Sequence, residues 1–194
     1  HPVIFSYPIT MPEGVNAFDI WSLHYAEWNH DPAEMEDNHS VGQRWGKRAP
    51  VLHDEYIHIP CYDLSEQRRD PAIREFWGES IKRFWEGILT QQGALGGAIW
   101  AGIDDVMLTP VGGRGLEWGI IDGWRRQKPE HWLTKKAYSP IRIADRPLPN
   151  PGANQVLQVP VANWFDHTNL NEVSIHWEVG TDQGVMTGPV VAPH

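Results

Sequence analysis

The sequence predicts an α/β fold: the C-terminal portion of a (β/α)8 TIM barrel, followed by part of an all-β sandwich. Three observations predict it. Short apolar runs alternate with helix-period segments over residues 1–144, which implies parallel strands joined by crossovers. Polar residues gather directly after those runs, as His24 and Tyr25, Glu55 and His58, Asp104 and Asp105. Barrel enzymes build their active sites at such C-terminal strand ends. Beyond a proline-rich linker at 145–154 the hydrophobic period becomes two, as in antiparallel strands. A doubly wound sheet is the competing arrangement, and the lack of a glycine-rich phosphate loop counts against it.

The first strand is expected at 2–7, apolar and stopped by Pro8. A loop with Pro12 and Gly14 leads to a second strand at 17–25. Asp31-Pro32 has helix-start chemistry, and a weak helical segment follows it as far as Lys47-Arg48. The third strand, 51–55, lies between Pro50 and Pro60, whose rings cannot donate to a sheet ladder.

Asp70 and Pro71 open the clearest helix, in which Ile73, Phe76, Trp77, Ile81, Phe84, Trp85, Ile88 and Leu89 mark one face. A fourth buried strand is expected at 96–103, ending in Asp104-Asp105, and a glycine-rich loop runs from there to Gly115. Pro129 starts a helix that reaches Tyr138 with lysines near its end, as the helix dipole prefers. Strands at 155–163 and 173–179 begin the sandwich, which occupies 155–194 and is truncated. A full barrel needs eight strands and about 250 residues, and only about four strands are visible, so the chain reads as a fragment lacking its upstream half.

With 194 residues, 41% hydrophobic and 21% charged, the chain is ordinary globular material. No apolar run approaches the roughly 20 residues of a membrane span. A net charge of −9 argues against nucleic acid or an anionic membrane as partner, because phosphate attraction is missing. Cys61, the single cysteine, has no internal disulfide partner and leaves the compartment open. No signal-peptide pattern is present, so localisation stays unknown. The 11 Trp residues exceed what core filling normally uses, and a flat indole face suits stacking on sugar rings.

Residues 51–54 read as a strand delivering Glu55 to its C-terminal end. From the residues alone, Glu55 is either a catalytic carboxylate or a rim group paired with Arg48 or Arg125. Asp54 should point to the opposite face and serve as a structural partner at the rim. His53 and His58 superficially suggest zinc, but a zinc protease motif needs two His four apart on a helix. These are five apart in a strand flanked by prolines, so no metal ligands are assigned.

Asp54-Glu55-Tyr56-Ile57-His58 resembles the nucleophile segment of family 2 glycoside hydrolases, the β-galactosidase and β-glucuronidase group. Gly96-Gly97-Ala98-Ile99-Trp100 is similar to the last barrel strand of its β-galactosidases, and Lys128-Pro129 to Tyr138 resembles the segment leaving the barrel. The run from Asn163 to Leu170, then Trp177-Glu178, is similar to the start of the immunoglobulin-like sandwich that follows. Together these cover almost the whole chain in the family's order.

The resemblance implies a retaining exo-β-glycosidase, β-galactosidase-like, with Glu55 as nucleophile. Its acid/base glutamate lies on an earlier strand with no match here, so the isolated chain is expected to be inactive. Tyr25 stands where the family places a tyrosine beside the nucleophile; a plain core aromatic is the alternative. His24 and His58 would bind sugar hydroxyls, Trp100 would be the sugar platform, and Asp104 matches a rim carboxylate that holds either loops or substrate. The family's β-galactosidases carry an Asn-Gly pair that helps hold a sodium ion and the sugar's 6-hydroxyl. Trp118-Gly119 stands there instead, so Trp118 is expected to line the pocket and neither sodium nor magnesium is supported as a cofactor. The implied partners are a carbohydrate substrate and the N-terminal part of the same enzyme; a homo-oligomer stays open. The competing reading is a Trp-rich, non-catalytic carbohydrate-binding or scaffold module.

Overall fold

The computed structural model describes residues 1–4, 18–25, 49–58, 70–144, 146–152 and 154–193. They fall into two units, His1–Tyr138 and Ser139–His194. The helical segment expected after Asp31-Pro32, Arg48, Pro60, Cys61 and most of the first expected strand lie outside the described residues. Of that strand, Ile4 forms a parallel bridge with Ile20.

In the first unit, β1 (Trp21–His24), β2 (Val51–Tyr56) and β3 (Ala94–Ile99) form a parallel sheet in that order. Among the described residues the sheet stays open and closes no barrel. Its register holds the feature that matters most for the site. Leu23 pairs with His53, but His24 pairs with Glu55, so Asp54 is an extra residue in β2. Such a bulge resets the in–out alternation of a strand. His53 and Tyr56, three apart, therefore share a face: their ring centroids lie 6.3 Å apart. A Cβ on Gly97 would meet both, 2.7 Å from the Tyr56 ring and 3.2 Å from the His53 Cβ.

Helix α1 (Pro71–Thr90) forms as its sequence predicts, with the Asp70 carboxylate accepting from the Ala72 N–H at 2.9 Å and Pro71 in the first turn. Trp77, Ile81, Phe84 and Ile88 are its buried stripe, and Tyr56 of β2 packs on Phe84 and Ile88. Burial of Ile81, Phe84 and Ile88 contributes about 1.5–3 kcal/mol each. Phe76, expected on that face, is 74% exposed; it sits roughly 100° round the helix from Trp77, off the stripe.

Helix α2 (Pro129–Ala137) packs on α1 where Gly78 lets it approach, since a Cβ there would lie 2.6 Å from the Leu133 side chain. Arg74 of α1 is hydrogen-bonded to the buried Glu130 of α2. At the far end of α2 the Tyr138 hydroxyl meets that of Tyr56 at 2.5 Å, tying helix to sheet.

Two expectations change here. The strand expected at 96–103 stops at Ile99, where its pairing with Tyr56 ends. Residues 101–104 run instead beside 118–121, through Ala101 N–H to Trp118 O at 3.0 Å and Asp104 N–H to Ile121 O at 3.0 Å. The glycine-rich stretch after Asp104 is no loop but a hairpin of β4 (Asp105–Thr109) and β5 (Gly112–Leu116). Gly112, at φ 130°, supplies the turn conformation that other residues avoid.

In the second unit, β6 (Ile141–Ile143) pairs antiparallel with β7 (Val161–Asn163). Residues 139–144, expected to belong with the barrel, are thus held by this pairing, and of the strand expected at 155–163 only the last three residues form one. β8 (Ser174–Val179) and β9 (Asp182–Thr187) make a second antiparallel pair. Polar side chains do much of the fastening. The buried Asn163 amide donates to the Thr168 and Val191 carbonyls, both at 2.9 Å, and Asn169 caps the 3-10 turn Leu170–Glu172. No described helix is long and apolar enough to cross a membrane.

Candidate active site

Parallel pairing brings the C-terminal ends of β1 and β2 to one edge of the sheet, and the candidate site is built there. The Tyr25 N–H donates to the Glu55 carbonyl at 2.9 Å. Tyr25 takes a left-handed backbone (φ 56°), a conformation costing a non-glycine residue roughly 1–3 kcal/mol and commonest at functional sites. Its hydroxyl donates to Glu55 Oε1 at 2.7 Å. Two residues beyond Glu55, Ile57 is left-handed as well (φ 50°), just before His58.

His24 touches both neighbouring carboxylates, its Nδ1 3.3 Å from Asp54 Oδ1 and its Nε2 3.4 Å from Glu55 Oε1. The expectation that Asp54 and Glu55 serve opposite faces therefore fails, because the bulge lets one imidazole reach both. Glu55 keeps 19% of its side chain exposed, so a reactant can approach it.

Aromatic rings continue outward from Tyr25. Its ring stacks on His58 with centroids 6.4 Å apart, His58 meets Trp118 edge-on at 5.4 Å, and Trp118 meets Trp100 at 5.7 Å. Four of the expected substrate-binding residues thus form one series of ring contacts leading from Glu55. Asp104 stands behind it, its Oδ1 accepting from the Gly119 N–H at 2.9 Å and from Lys128 Nζ at 2.8 Å. Lys128 also donates to the Glu117 carbonyl at 2.9 Å, so residues on both sides of Trp118 are pinned. Gly119 is required sterically: an added Cβ would lie 2.1 Å from the Ile103 carbonyl carbon.

Lys128 was not singled out by the sequence reading, yet it carried a signal. A lysine at a helix N-cap opposes the helix dipole and calls for a carboxylate nearby. No sequence signal marked the Asp54 bulge.

His53 lies beneath the site, fully buried, with no hydrogen-bond partner for either ring nitrogen. Burial pushes its imidazole down to about 4, so it stays neutral near pH 7. The Tyr56 hydroxyl is driven far above its ordinary value by burial and by Tyr138, and burial pushes Tyr138 up to about 12. Since β2 is a strand and His53 is sealed within the core, the zinc-helix arrangement is not formed. Among the described residues, no three His, Cys, Asp or Glu are grouped to hold a metal ion.

No family profile matches the chain, and no curated protein matches it. Among solved structures it is similar to a GH2 β-galacturonidase from Eisenbergiella tayi bound to glycerol, at 22% identity and TM-score 0.42, over 62% of this chain and 23% of that one. A GH2 β-galacturonidase from Eisenbergiella tayi bound to galacturonate matches at 20% identity and TM-score 0.42, over 62% and 24%. A Faecalibacterium prausnitzii β-glucuronidase matches at 21% identity and TM-score 0.39, over 62% and 22%. The matched part of this chain corresponds to about a quarter of each of those proteins.

Proposed function

We propose that this chain is the C-terminal part of the catalytic barrel of a family 2 retaining exo-β-glycosidase, with Glu55 as nucleophile, joined to the start of an immunoglobulin-like sandwich. The observation that carries the reading is the 2.7 Å bond from the Tyr25 hydroxyl to Glu55 Oε1, made where two parallel strands end and beside a wall of rings. A hydrogen bond to the charged form keeps a carboxylate ionised. An ionised, oriented carboxylate is what attack on a ring carbon requires.

The steps balance as a double displacement. A Glu55 oxygen bonds to the anomeric carbon while the glycosidic C–O bond breaks, and the leaving oxygen takes a proton from an acid glutamate on an upstream strand. Water then attacks the same carbon and gives its proton to that glutamate, and the Glu55 carboxylate is released. Each displacement inverts the anomeric centre, so the configuration is retained. Separation of the two carboxyls by about 5–5.5 Å suits this course.

Trp100 and Trp118 would stack on the sugar, with His58 serving its hydroxyls and Asp104 holding the Trp118 loop. The indole of Trp118 offers no oxygen donor, so the residues do not fit a sodium ion there and no step involves one. A β-galactoside is the proposed substrate.

The test is Glu55→Gly in the full-length enzyme. Turnover of nitrophenyl β-galactoside should fall on the order of 10⁴-fold or more. Added azide should restore it, yielding the α-glycosyl azide. Activity within tenfold of the parent rejects the proposal.

A further inference from the structure

His24 stands between two groups that can only accept. Its Nδ1 faces Asp54 Oδ1 at 3.3 Å and its Nε2 faces Glu55 Oε1 at 3.4 Å. A neutral imidazole carries one N–H and can donate to one carboxylate; the imidazolium donates to both. The contact exists because Asp54 is an extra residue in β2, which places adjacent carboxylates within reach of one ring. Asp54 is 12% exposed at its side chain and His24 20%, so solvent weakens the contact without abolishing it. The Tyr25 hydroxyl falls on the same Glu55 oxygen, Oε1.

We propose that His24 is a positioning residue: Asp54 orients its imidazole, and the Nε2 of that ring joins the Tyr25 hydroxyl on Oε1 of Glu55, leaving Oε2 to attack the sugar. This rests on Glu55 being the nucleophile. It assigns His24 a task beyond that of a sugar-hydroxyl ligand, and it gives Asp54 a part in the site.

The two roles separate in the kinetics. A group held on Oε1 orients the Glu55 carboxylate for attack, and it favours release of Glu55 from the glycosyl ester in the second step. A hydroxyl ligand would act mainly through binding. Facing His24 are Asp54 and Glu55 from β2 and the adjacent Tyr25, whose ring centroid is 5.1 Å away. His58 stacks on the Tyr25 ring.

The experiment uses the full-length enzyme with Asp54→Asn and His24→Gln, on whichever of a panel of nitrophenyl β-glycosides the parent turns over fastest. In both variants a 2-fluoro glycoside should still label Glu55. In both, kcat should fall about 10- to 100-fold, the loss expected when a hydrogen bond to a charged group is removed. KM should not rise, and it should fall with kcat as the glycosyl-enzyme accumulates in a burst. An unchanged kcat in both variants, or a loss carried by a raised KM, overturns the proposal while leaving Glu55 in place. Failure of the parent to label at Glu55 overturns both. If His24→Gln does not fold, Asp54→Asn decides alone by the same outcomes.

Discussion

Tyr25 grips Glu55 twice, by a main-chain N–H to its carbonyl at 2.9 Å and by a phenol to its carboxylate at 2.7 Å. The first bond continues the pairing of β1 with β2, and the second aims a side chain. A residue fixed at both levels has little freedom to drift, which is how a strand end achieves the placement that chemistry needs.

Tyr25→Phe should therefore lower kcat of the full-length enzyme by about 10- to 100-fold, the range for losing a hydrogen bond to a charged group. Stability should hardly change, because the ring is 42% exposed and its stacking on His58 survives. Steady-state kinetics beside a thermal melt reads both. An unaltered kcat contradicts the role given to the hydroxyl.

Gly119→Ala should cost about 1–3 kcal/mol or more, since the new methyl meets main-chain atoms of Ile103 and Asp104 that cannot rotate aside. The bond from Gly119 N–H to Asp104 would be strained with it, shifting Trp118. Urea unfolding reads the cost, and a changed Trp fluorescence spectrum would report the shift. Parent-like stability would show the backbone contact to be looser than described.

Arg74→Met leaves the Glu130 carboxylate, 1% exposed, without its partner and should destabilise by about 3–5 kcal/mol. Adding Glu130→Gln should recover more than half of that, because the uncompensated charge is gone. A double-mutant cycle in urea checks it; additive losses would mean that the two residues act independently.

Much of the first unit was legible because its elements carry strong local signals. Asp70-Pro71 and the spacing from Trp77 to Ile88 specify α1, and Pro129 with Lys135 and Lys136 specify α2. The β4–β5 hairpin was not legible, since Gly112, Gly113 and Gly115 hide a strand pattern behind loop composition. Nor was the end of β3 at Ile99: pairing partners set it, and the apolar run continues past it. In the candidate site, Glu55, Tyr25, His58, Trp100 and Trp118 were named from the sequence and come into contact. The double reach of His24 depends on a register shift that no residue type announces.

His53 should make stability depend on pH. The unfolded imidazole takes up its proton near 6.5 and the buried one only near 4, so acid favours the unfolded chain. The contribution is full above about pH 6.5 and is lost as pH falls toward 4, amounting to on the order of 3 kcal/mol over that window. His53→Leu should flatten the slope and leave stability near pH 7 within about 1 kcal/mol, since neither ring nitrogen has a partner to lose. Urea midpoints between pH 4 and 7 test this. An equal slope in the variant would assign the pH dependence to other groups.

The most direct measurement of the central claim is covalent trapping. The full-length enzyme is incubated with a 2-fluoro β-glycoside bearing a good leaving group, digested, and sequenced by mass spectrometry. The peptide carrying Asp54-Glu55-Tyr56 should gain one fluoroglycosyl group, located on Glu55, as activity is lost. A label on any other residue, or inactivation with no sugar bound to that peptide, would contradict the assignment.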